Sequence, residues 1–270
     1  MNKCCNILLL IISISVFILL LWLIALPDSV IKTTIENSIS NNGRLNINPS
    51  IKSLRKGLFF TVYADSLELK IDKKTALIIT DISGRINPLY LFKRQFAFSV
   101  RGKIGKGDIE GHFKLPESGS LRIDKAEFSS IPYLASAGLQ GKGLISARLN
   151  LKNNIMDAVF EIPDADIHSS TMAIPMPISS FRKIQGALQL QGNTIKITSI
   201  SLDSDKGYAR IKGEVINGAM NLTLELMPSA GKLEPIESML ISKYRISPGY
   251  YVIPIKGPLM FLTPKTISKS

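Results

Sequence analysis

Apolar and polar positions follow different periods in different parts of this chain. From Ile7 to Leu26 there is no period: only Ser13 and Ser15 interrupt the apolar run. A helix rises about 1.5 Å per residue, so a run of this length spans about 30 Å, the thickness of a bilayer's hydrocarbon core. Serine hydroxyls in a helix bond the carbonyl one turn back and do not break it. The run predicts a single membrane anchor carrying Ile7, Leu10, Phe17, Leu20, Trp22 and Leu26, with Trp22 near the far interface. A cleaved signal peptide has a shorter apolar core and an A-x-A-like site, which Ala25-Leu26-Pro27 does not offer. Lys3 before the run, against Asp28, Lys32 and Glu36 after it, places the N-terminus in the cytoplasm and the long remainder outside.

After Pro27 the period becomes helical. Ile31, Ile35 and Ile39 recur every four residues between polar neighbours, and Asn41-Asn42-Gly43 ends the stripe. This predicts a short amphipathic helix over about 29–40, lying on the membrane or under its own domain. The chain thus divides into a stub and anchor at 1–27, a helical segment at 28–43 and a β-rich domain at 44–270.

From about residue 57 the period becomes two. Leu67-Glu68-Leu69-Lys70-Ile71 alternates, Ala76 to Ile82 is more continuously apolar, and 96–100 and 108–113 alternate again. The clearest stretch is 184–227. Leu188 and Leu190 precede the turn Gly192-Asn193; Ile195, Ile197, Ile200 and Leu202 follow it; Ile211 and Val215 precede Asn217-Gly218; Leu222, Leu224 and Leu226 close the series. Asn-Gly is a strong hairpin signal because both residues tolerate positive φ. The pattern predicts a mainly β fold: a curved antiparallel meander with two or three short helices. Helices are expected at Ser130–Ala137, with Pro132 at its start and Gly138 past its end, and at Leu233–Lys243, with Ile236, Met239 and Leu240 on one side. The segment 163–177, rich in Pro, Asp and Ser, reads as a loop that could divide two similar sheet halves, though no precise internal repeat accompanies it.

Composition adds a sign. The 33 Lys and Arg outnumber the 21 Asp and Glu for a net charge of +12, which favours anionic partners. Phospholipid and lipopolysaccharide head groups qualify. Nucleic acid is not indicated, because the basic residues are scattered and form no run. Cys4 and Cys5 are the chain's two cysteines, so the β domain has no disulfide framework.

Candidate chemistry is sparse. The imidazoles are His112 and His168, too few for a zinc or nucleophilic site without an exported cysteine. Asp164 and Asp166 read as solvated loop acids. Gly102, Gly105 and Gly107 lie between β-like runs, with no helix behind them to hold a phosphate. No catalytic, cofactor or metal site is expected. The residues that invite a function are Leu188, Leu190, Ile195, Ile197, Leu222, Leu224 and Leu226, which line either a closed core or an apolar groove.

The segment Pro248-Gly249-Tyr250-Tyr251-Val252-Ile253-Pro254-Ile255-Lys256-Gly257 resembles a pattern of the AsmA-like type of type II secretion system protein N (GspN): Gly-Tyr-Tyr, one variable residue, Ile-Pro, then Gly. The motif residues are Gly249, Tyr250, Tyr251, Ile253, Pro254 and Gly257. Ile131-Pro132-Tyr133-Leu134 leading into Gly138–Leu144 is similar to that family's central short helix and Gly-containing strand. The order of anchor, short helix and many strands is also similar. The resemblance implies a non-catalytic inner-membrane protein with its bulk in the periplasm. It implies either an accessory of type II secretion meeting other secretion subunits, or a relative of proteins that bind or transfer lipid between membranes.

Overall fold

The computed structural model describes Ser13, Phe17, 19–41, 47–71, 73–88, 90, 96–115, 118–136, 139–169, 181–232 and 235–258. Alternating residues dominate this chain, and alternation makes strands. They are β1 (Ile47–Lys52), β2 (Arg55–Lys56), β3 (Thr61–Ile71), β4 (Lys74–Asn87), β5 (Phe96–Ile104), β6 (Gly107–Leu115), β7 (Ser118–Glu127), β8 (Leu139–Lys142) and β9 (Leu144–Lys152). Then follow β10 (Ile155–Ile162), β11 (Asp166–Ser169), β12 (Lys183–Gln191), β13 (Thr194–Ser204), β14 (Gly207–Ile216), β15 (Ala219–Pro228), β16 (Arg245–Ser247) and β17 (Tyr250–Pro258). The helices are α1 (Asp28–Asn41), α2 (Pro132–Ser136) and α3 (Pro235–Ile241).

Fifteen strands form one open antiparallel sheet in the order β1-β3-β4-β5-β6-β7-β9-β10-β12-β13-β14-β15-β17-β16, with β2 also paired to β3. β8 and β11 form a separate ladder. Neighbours in space are nearly always neighbours in sequence, so the expected meander is present. Its turns are the expected ones: Asn217 and Gly218, at φ 52° and 82°, join β14 to β15. A twisted open sheet this wide curls rather than stays flat. In keeping with that, α2, which follows β7, packs back against β4.

The segment 163–177 does not divide the sheet. β10 pairs directly with β12, and the intervening chain includes β11, which pairs with β8. That close crossing requires a glycine: a Cβ on Gly141 would sit 2.0 Å from the Asp166 carbonyl oxygen. The edges are managed. Along β1, α1 lies against the strand and Glu36 Oε1 accepts the Ile51 amide at 2.7 Å. At the other edge β16 pairs only with Tyr250 and Tyr251, and Pro254 and Pro258 deny donors to the rest of β17.

Among the described residues no helix is long and apolar enough to cross a membrane. Residues 19–24 and Phe17 are helical, while Ile7 and Leu10 of the expected anchor lie outside the described residues. The span expected over Ile7–Leu26 is therefore not established by the fold.

Candidate functional site

Register alone assembles one continuous apolar face. Val62, Gly84, Val100, Gly111, Leu121 and Leu149 stand opposite one another in turn from β3 to β9. Ala158, Leu188, Ile197, Gly213, Leu222 and Ile255 continue the row to β17. A second row beside it runs through Phe98, Phe113, Gly119, Leu151, Met156, Leu190 and Ile195. At about 4.8 Å per strand, a row from β4 to β17 is on the order of 50 Å long.

Two further rows lie toward the other end of the strands. One includes Ile109, Ile123, Phe160, Ile200, Ile211, Leu224 and Ile253; the last includes Ile162, Ile184, Leu202, Ala209, Leu226 and Tyr251. This end is sealed. Phe128, Ala165, Ile167, Phe181 and Ile241, all off the main sheet, close over Leu202, Leu224 and Leu226 in one buried cluster, with Ile131, Leu134, Leu139 and Tyr244 against it. A smaller cluster holds Ile104, Ile109 and Ala126. Register shifts at Thr80/Ser83, Ala187/Leu188 and Ile197/Ile200 fall between the two ends, and one at Ile123/Ala126 lies within the sealed end. Bulges bend strands and increase their twist, so the boundary is also a bend.

The candidate residues therefore separate. Leu224 and Leu226 are fully buried and Leu222 is buried: these are core. Leu188, Leu190, Ile195 and Ile197 are half-buried and belong to neither cluster. Of the motif, Tyr251 and Ile253 enter the core, Tyr250 is half-buried, Gly249 takes a turn at φ 71° and Gly257 sits in β17 at φ 141°, a conformation that favours glycine. The helix expected at 233–243 is α3, but its buried residue is Ile241 at 1% exposure. Met239 and Leu240, expected inward, are exposed. The Ile236 side chain lies outside the described ones. Ile241 was hidden because a seven-residue helix fits several apolar faces equally well.

The opposite face carries paired polar groups. Arg101 holds Glu110 at 2.8 Å, and this hydrogen-bonded guanidinium lowers the Glu110 carboxyl below its usual range. The Thr75 hydroxyl, 2.7 Å from Glu68, does the same there. His112 is exposed on β6. Arg122, Arg148, Asp124 and Glu161 ring a shallow depression of about 550 Å³, with charges of both signs. Among the described residues no group of three or more His, Cys, Asp or Glu could hold a metal ion.

One local feature had no sequence signal. The end of the apolar N-terminal helix is clasped by the β2–β3 turn. Trp22 Nε1 donates to the Gly57 carbonyl at 3.0 Å, and its ring packs on Phe60 at 5.4 Å. Lys56 Nζ, only 11% exposed, donates to the carbonyls of Trp22, Leu23 and Leu26 and sits 3.8 Å from Asp28. A cation at a helix C-terminus satisfies orphan carbonyls and the macrodipole together. Comparisons with protein-family models, curated proteins and solved structures return no match.

Proposed function

We propose that this chain is a non-catalytic, membrane-anchored component that handles lipid, holding acyl chains along the half-covered rows of its apolar face. The observation that carries this reading is the unbroken row from Val62 to Ile255, most of which stays half-buried while the far end is sealed. A face needed only for folding gains by being covered throughout, at roughly 25 cal/mol per Å² of apolar surface. A long contiguous apolar strip left open is the mark of a partner. An acyl chain fits a strip that is long, narrow and free of polar anchors, and the +12 charge suits the anionic head group of a phospholipid or lipopolysaccharide. The run Ile7–Leu26 supplies the anchor, with the N-terminus cytoplasmic and the bulk in the periplasm. The test is a photocrosslinking residue in the full chain in cells. At Leu188 it should capture lipid; at Gln189, on the other face, it should not. No lipid at Leu188, or equal capture at both, would overturn the reading.

A second reading is an accessory of a type II secretion machine, assisting its assembly or stability. What favours it is the GspN-like motif, whose Gly249 and Tyr251 occupy the turn and the core end of the last strand. Loss of secretion on deleting the chain, rescued by a Leu190→Glu variant that no longer captures lipid, would favour this reading over the first.

A further inference from the structure

We propose that the turn between β2 and β3 is a second point of contact with the lipid bilayer, dipping Leu58 and Phe59 into its surface beside the N-terminal helix. The inference rests on the reading that this helix lies in a membrane.

The chemistry of the turn is out of place for a water-facing hairpin. Thr61 N donates to the Leu58 carbonyl at 3.2 Å, so Phe59 and Phe60 are the central pair of a four-residue turn. Both have positive φ, 53° and 60°. That is the geometry of a type I′ turn, which ordinarily takes Asn-Gly, as Asn217-Gly218 does in this same chain. Aromatic side chains in that conformation are strained, and strain of this kind persists where a function needs it. Phe60 is used internally, against Trp22. Phe59 and Leu58 are not: they are 64% and 57% exposed.

Their position supplies the occupant. The exposed side chains of the neighbouring helix include Leu20, Leu21 and Ile24, with Leu26 just past its end, so the turn and the helix present adjoining apolar surface. Trp22 lies two residues, about 3 Å, before the end of that helical stretch, and it is Trp22 that bonds Gly57. The turn is therefore held back along the helix, at the depth of Trp22 rather than beyond Leu26. An indole at this depth suits the interface, and so does an adjacent Leu-Phe pair. Behind the turn, Phe59 and Phe60 border a depression of about 940 Å³ whose lining includes Arg85 and Lys114 and, among the described residues, no carboxylate side chain. Apolar tip and basic flank together match a surface of anionic phospholipid. The contact would hold the β3 end of the apolar rows against the membrane, where an acyl chain must enter.

The full chain, with Cys4 and Cys5 replaced by Ser, is reconstituted into vesicles of phosphatidylethanolamine and phosphatidylglycerol. It carries one environment-sensitive fluorophore, through Phe59→Cys, Ile24→Cys or Asn193→Cys in turn. Brominated lipids then report depth. We expect blue-shifted emission at both 24 and 59, quenched severalfold more than at 193. A buried label at 24 with a water-exposed label at 59 overturns the proposal and leaves the anchor standing. Water-exposed labels at both overturn the anchor and the proposal together. Because labelling replaces Phe59 itself, Leu58→Cys is a second reporter with Phe59 intact; it must read the same depth, and a water-exposed label there also overturns the proposal.

Discussion

The two ends of the apolar face share the same alternation, yet one is a closed core and the other stays half-buried. Leu224 and Leu190 show the difference. Each is a leucine on an interior strand of the same sheet, facing the same side. Leu224 has α3, β11 and the residues around Phe181 arranged over it, and among the described residues Leu190 joins neither buried cluster. An antiparallel sheet needs only one covered face, and this one covers only part of it. The division is made by the short off-sheet pieces, not by the strands. Leaving out those pieces at one end converts a core into a strip.

The largest expected effect breaks or upholds this directly. Leu224→Ala removes side-chain volume from a site with no exposure and should cost about 2–5 kcal/mol. Leu190→Ala, already half in water, should cost about 1 kcal/mol or less. Denaturant unfolding of the full chain in detergent reads both. Equal losses would mean that the open rows are as structural as the sealed ones.

A middling effect tests whether the open end is uniform. Around β6 the strip has its own floor: Phe113 lies across the positions of Gly111 and Gly119, and stacks on Phe98 at 4.9 Å. A Cβ on Gly119 would come within 2.5 Å of the Phe113 ring. Gly119→Ala should therefore cost about 1–3 kcal/mol by overpacking, despite its place in an open row. A cost near zero would mean that Phe113 swings freely, and that the strip is open from β4 to β15.

The end clasped by the β2–β3 turn gives the next test. Lys56 offers its ammonium to several carbonyls at a helix terminus, so Lys56→Met should loosen the clasp by about 1–2 kcal/mol. The chain has one Trp, and it is the residue bonded to Gly57, so its emission should change with the clasp. Unchanged Trp22 emission with unchanged stability would show that the turn does not hold the helix.

What the sequence made legible follows from range. The strands, the hairpin turns and the single apolar face are period-two and Asn-Gly signals, each readable within a few residues, as at Leu188-Gln189-Leu190 and Asn217-Gly218. Coverage was not legible. Leu188 and Leu224 read alike because what differs is the distant segment folded over one of them. The segment 163–177 reads as a loop because Pro and Asp mark loops, and nothing in that composition announces that β11 turns back to β8 while β10 pairs with β12. The clasp of Lys56 and Trp22 joins residues 34 apart in a way no spacing announces.

The smallest effect separates the polar face from both apolar ends. Glu110 lies on the strand between Ile109 of the sealed rows and Gly111 of the open ones, pointing the other way toward Arg101. Its folded pKa lies below 4.5, as does that of Glu68. A carboxyl with a depressed folded pKa adds stability that is fully present above the unfolded value and is lost as pH falls through the folded one. The contribution should therefore be intact at neutral pH and fade below about pH 4.5. Both groups are solvent-exposed, so the loss is slight and salt reduces it. A carboxyl-detected titration should place the Glu110 midpoint below 4.5 and return it toward that value in Arg101→Gln. Lipid capture at Leu188 should not change across the same pH interval, because the strip contains no titrating side chain in its rows. Capture that follows the Glu110 titration would mean that the polar face sets the curvature of the strip, and that the two faces act as one.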